Sequence, residues 1–101
     1  MNDYIAEMNA YADRIHALIA SETDIRIVGA TAIHDGWDDG VIIACGQTRA
    51  TIVVRVYRHG EVLEKHIEDQ VRSLVPLLRQ KEAERLAEEK AVDDSVARFY
   101  V

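Results

Sequence analysis

Ile33 to Gly46, IHDGWDDGVIIACG, gathers the residue types from which a site is most readily made: one histidine, three aspartates, and the chain's only tryptophan and only cysteine. His34, Asp35, Asp38 and Asp39 are close enough in sequence for several to meet one cation. Their spacing nevertheless matches neither the alternate-oxygen pattern of a calcium loop nor a structural zinc set, which needs more Cys and His. An acidic, solvated Asp/Gly turn is the simpler expectation, with no metal and no cofactor. Cys45 would be a nucleophile only if a base such as His34 lay opposite it across a hairpin. In the apolar run VIIAC a cysteine is more commonly a small buried hydrophobe, and burial is the expectation. Trp37 stands apart, because a tryptophan in an Asp/Gly turn either folds back onto the sheet edge or presents its ring to a partner.

Elsewhere the chemistry thins out. Asp13 and His16 lie three residues apart on a helical stretch, a spacing that suits a surface hydrogen bond, while His59 and His66 have no comparable neighbour. The sequence contains no glycine-rich phosphate loop, GxSxG, paired-cysteine motif or HExxH. The expectation is a protein without catalysis.

The elements that position these residues follow from hydrophobic period. From Tyr4 to Ala20, Ile5, Met8, Ala12, Ile15 and Ile19 recur at helical steps, with Asp3 as N-cap and a turn at SETD. DIRIVGATAI then alternates as a strand bent at Gly29. HDGWDDG should reverse the chain, VIIACG reads as a buried strand, and TIVVRVYR as a third strand after the GQTR turn. On that third strand a strict two-residue period puts Ile52, Val54 and Val56 on one face and Val53, Arg55 and Tyr57 on the other. Beyond His59-Gly60, Leu63, Ile67, Val71, Leu74 and Leu78 form a helical stripe that Pro76 should kink or break, although Glu61 to Glu64 could instead add a short fourth strand. The expected fold is a single α+β domain of order α-β-β-β-α, a three-stranded antiparallel meander with both helices on one face. Residues 1-80 form its core and residues 81-101 a charged helical extension.

Two surfaces then invite binding. If the helices cover the side bearing Ile52, Val54 and Val56, then Arg55 and Tyr57 face outward, with Arg26 beside them and Trp37 at the turn, a set suited to a small anionic ligand or nucleotide. A plain solvated sheet face is the competing expectation. The second surface is the acidic helix. Ten acids and six bases fall between Glu61 and Asp94, with Glu84, Glu88 and Glu89 the notable excess. A seam of Leu78, Leu86, Val92 and Val96 could also join two copies into a homodimer, with a period too irregular for a regular coiled coil.

The net charge of −6 opposes direct nucleic-acid binding, since an acidic field repels phosphate. A lone cysteine permits no intrachain disulfide and fits a reducing compartment, so a cytoplasmic location is expected, in the host cytoplasm if the chain is virus-encoded. The N-terminal stretch lacks the basic head and apolar centre of a signal peptide, and no apolar run has the length of a membrane span. The leading expectation is a small interaction protein, an inhibitor or regulator of the phage or mobile-element accessory type. It would use its acidic surface to block the basic, nucleic-acid-binding site of a protein partner. Behind it stand the ligand-binding sheet face and an enzyme or metal site between His34 and Cys45.

Overall fold

In the computed structural model the described residues are 3–33 and 38–99, with side chains described as far as Ala91. The order is α1 (Asp3–Leu18), β1 (Ile25–Ile33), β2 (Asp38–Cys45), β3 (Thr48–Arg58), β4 (Glu61–Glu64) and α2 (Ile67–Phe99). The four strands form one open antiparallel sheet in sequential order, so the alternative fourth strand at 61–64 is present. His59 and Gly60 make the reversal into it with φ of 54° and 78°. A two-residue hairpin turn requires such left-handed backbone, which assigns His59 a conformational role.

Both helices lie on one face of this sheet. Met8, Ile15 and Ile19 of the α1 segment meet Val41, Ile43, Ile52 and Val54 of the sheet and Ile67, Val71, Val75 and Leu78 of α2 in one core. Burying each such aliphatic side chain stabilises the fold by about 1.5–3 kcal/mol. The α1 stripe is only partly used: Ile5 is exposed, and Tyr11, from its border, packs on the core instead. Leu63 belongs to β4 and is also exposed, so the α2 stripe begins at Ile67 and takes Val75 as a buried member.

Pro76 neither breaks nor ends α2, which runs unbroken from Ile67 to Phe99. The proline sits on the exposed side while Val75 and Leu78 are buried beside it. Core packing holds the helix through that point, and water can reach the Arg72 carbonyl left without its amide donor.

Two β-bulges shape the sheet. The first lies between Ile27 and Gly29 of β1, where a bend was expected. The second has larger consequences. Asp39 pairs with Arg55 and Gly40 pairs with Val53, so Val54 is an extra residue in β3. An extra residue reverses the alternation beyond it. Ile52 therefore shares the helix-covered face with Arg55 and Tyr57, while Val53, Val56 and Arg58 lie on the open face, contrary to the strict two-residue period.

Side chains complete the backbone where pairing ends. β4 pairs with β3 only over Arg55 to Arg58, and the Gln70 amide extends that edge from α2. Its Oε1 accepts from the Val53 N–H at 2.9 Å, and its Nε2 donates to the Val53 carbonyl at 2.8 Å. At the other end, Glu82 accepts from the Gln47 N–H at 2.9 Å and ties α2 to the β2–β3 turn. No helix among the described residues is long and apolar enough to cross a membrane.

Candidate functional site

The densest polar arrangement among the described residues is assembled by the β3 bulge. Because Arg55 is turned under α1, the residue is 4% exposed and its guanidinium must find charge partners there. Asp39, its cross-strand neighbour and itself 3% exposed, accepts from Arg55 Nε at 2.7 Å. Glu7 reaches down from α1 to accept from Nη1. One helical turn before it, Tyr4 donates its hydroxyl to the other Asp39 oxygen at 3.0 Å. The Arg55 guanidinium also lies 5.4 Å from the Tyr4 ring centroid and 5.8 Å from that of Tyr57, within cation–π range.

Electrostatics follow from these contacts. Burial alone pulls the Arg55 pKa down, but its hydrogen bonds to Asp39 and Glu7 hold it above the ordinary arginine value, so the group stays charged. Burial and the bond to Asp39 push the Tyr4 phenol up, leaving it a neutral donor. Among the described residues no buried side-chain polar atom lacks a partner. The cluster is a closed charge network.

A cleft of about 490 Å³ opens beside it, between α1 and the β3–β4 edge, with Tyr11, Arg14, Tyr57, Val62 and Glu64 in its wall. Arg14 is committed to Glu64 at 2.8 Å. An anion entering this cleft therefore meets two arginines whose charges are already matched by carboxylates. Binding there would require Glu7 or Glu64 to give up its partner, and the reading of Arg55 and Tyr57 as an outward-facing anion platform does not describe their positions.

The remaining sequence candidates are dispersed. Arg26 is exposed on the open face, at the end of the sheet away from Arg55, so the structure does not bring the two together. Trp37, His34 and Asp35 lie outside the described residues. Asp38 and Asp39, expected in a solvated turn, are strand residues buried by cross-strand pairing; Asp38 accepts from Arg58 at 3.1 Å. Their turn propensity is overridden because each has a neutralising arginine across the strand.

Cys45 pairs with Ile25 at the end of β2 remote from the Ile33–Asp38 pair. It is buried, and burial together with the nearby Asp24 and Glu82 carboxylates raises its thiol pKa, the opposite of nucleophile activation. Among the described residues no three His, Cys, Asp or Glu side chains are grouped to hold a metal ion.

Glu84, Glu88 and Glu89 all lie exposed on the part of α2 beyond the core. Glu84 accepts from Gln80 at 3.2 Å, and Glu89 accepts from Arg85 at 2.8 Å, while Arg85 also holds Glu82. Of the seam proposed for a second copy, Leu78 is consumed by the chain's own core, Leu86 is 52% exposed, and Val92 and Val96 lie outside the residues whose side chains are described.

Sequence reasoning missed Glu7, Tyr4 and Glu82. Tyr4 and Glu7 are one turn apart and so share a direction, and Glu82 follows Leu78 by one turn; neither spacing identifies the far side of the contact. Compared with protein-family models, with curated proteins and with solved structures, the chain matches none of them.

Proposed function

We propose that the protein is a small non-catalytic interaction protein, an inhibitor or regulator whose acidic helix occupies the basic, nucleic-acid-binding site of a protein partner. One observation carries this reading: α2 continues well past its last attachment to the fold. Leu78 is the last residue of α2 in the core cluster, and Glu82 makes the tie to the β2–β3 turn. The stretch 83–99 adds about 25 Å of helix at roughly 1.5 Å per residue.

A polar helix that serves no core of its own is suited to a partner. Glu84 and Glu88, four residues apart, line up on one side of it. They present carboxylates on a rigid rod, as a basic groove built for phosphates would require. The net charge of −6 adds long-range attraction toward such a groove. Arg55, by contrast, is matched by two acids, which leaves the acidic helix as the better-supported binding surface.

The test is partner capture from an extract of the source cell by wild type and by a triple Glu84→Lys, Glu88→Lys, Glu89→Lys variant. Capture that heparin displaces from the wild type, and that the variant loses while keeping its fold by circular dichroism, is the expected result. Equal capture by both would overturn the acidic-surface reading.

A further inference from the structure

The open face of the sheet and the projecting half of α2 are each incomplete alone, and each has what the other lacks. No helix of the described chain covers the open face. Pairing register puts Ile33, Ile42, Thr51, Val53 and Leu63 on it, all wholly or partly accessible, beside Asp38 and Val56, which are buried. Along its end nearest the β2–β3 turn runs the row Arg26, Ala44, Arg49 across three strands. Both arginines are exposed, and neither is paired with an acid among the described residues. The projecting helix leaves the fold at this same end, since Glu82 is tied to Gln47. It carries exposed Leu86 followed by Glu88 and Glu89.

We propose that two copies form a reciprocal dimer in which the projecting part of α2 of each lies across the open sheet face of the other. A twofold axis beside the β2–β3 turns sets the sheets end to end and inverts one of them. The helix layer of each copy then continues over the partner's uncovered face, and the interface is self-complementary as a closed dimer requires.

Length agrees with this arrangement: the projection of about 25 Å matches the reach of β2, whose 8 residues span roughly 26 Å. Charge agrees as well, because Glu89, held within its own helix by Arg85 at 2.8 Å, arrives at the partner's Arg26–Arg49 row. Helical period puts Leu86 and Glu89 on the side of α2 that continues the core row Leu78–Glu82, the side turned to the partner, and leaves Glu84 and Glu88 away from it.

Sedimentation equilibrium tests the arrangement. The wild type should be dimeric at micromolar concentration, and Arg26→Glu with Arg49→Glu should weaken the dimer by at least roughly tenfold, since four exposed ion-pair positions are reversed per dimer. Adding Glu89→Arg to that chain should restore part of it, whereas Leu86→Asp should weaken it whatever the charges. A wild type that stays monomeric to hundreds of micromolar, or a dimer indifferent to the arginine reversal, overturns the proposal. Circular dichroism confirms that each variant is folded, and Arg26 and Arg49 are both exposed. Because the Arg26/Arg49 variant keeps all three helix acids, loss of the dimer with capture intact separates this inference from the foreign-partner reading.

Discussion

Arg55 and Arg79 are each held by two carboxylates contributed by other segments, and they do different things. Arg55 joins Asp39 and Glu7 beneath α1, where the Arg55 and Asp39 side chains are 5% and 4% exposed. Arg79 joins Asp24 and Glu22 at the surface, fixing α2 to the α1–β1 connection, with the Arg79 and Asp24 side chains 40% and 45% exposed. The chemistry is the same; the surrounding dielectric is not. In the buried cluster Arg55 and Asp39 depend on each other because water cannot replace either, while Glu7 stays accessible to solvent. In the surface clamp water and salt compete for every contact. The first fixes which way the sheet faces α1, and the second only steadies a connection.

That difference can be broken experimentally. Asp39→Ala should have the largest effect, a loss of about 3–5 kcal/mol in urea unfolding, because Arg55 is left buried with only the more exposed Glu7. The double variant Asp39→Leu, Arg55→Met should recover much of that loss, since it removes both charges and keeps the volume. A double variant as unstable as Asp39→Ala would show that the charges themselves stabilise the fold.

Tyr4→Phe should cost about 1 kcal/mol by the same measurement, deleting one donor to Asp39 and leaving the ion pair. Arg79→Ala should cost less than either change, and its effect should shrink as salt is raised from low to molar levels. An effect of Asp39→Ala that shrinks equally would erase the distinction between the clamps.

The smallest effect is a pH dependence. The hydrogen bonds from Arg79 hold the Asp24 carboxyl at about 2, below its ordinary value. A depressed folded-state pKa contributes stability above the unfolded value near ~4, and that contribution is lost as pH falls through about 2. The stability gap between wild type and Arg79→Ala should therefore be flat from about pH 5 to 7 and close toward pH 2. A gap that widens on acidification would assign the clamp a different charge partner.

Much of the fold was legible because burial imposes periods on a sequence. Met8, Ile15 and Ile19 marked α1, Ile67, Val71 and Leu78 marked α2, and the β-branched run from Ile52 to Val56 marked the central strand. The site was less legible because it depends on parity. One extra residue at Val54 exchanges the faces of everything after it, and no composition rule announces a bulge inside a uniformly β-prone run. Asp38 and Asp39 misled for a related reason: their local preference is for turns, and only Arg58 and Arg55 across the strand explain their burial.

By itself the sequence determined the kinds of element, their order, the buried cysteine strand and the acidic character of the C-terminal helix, because each is set by local period and composition. Tertiary structure alone decided that Arg55 points inward, that α2 passes Pro76 without breaking, and that Glu82 is spent on the β2–β3 turn. These depend on contacts between residues 16 to 48 positions apart, or on packing to either side of the proline. Such contacts are specified by shape and charge in three dimensions, which a one-dimensional pattern does not carry.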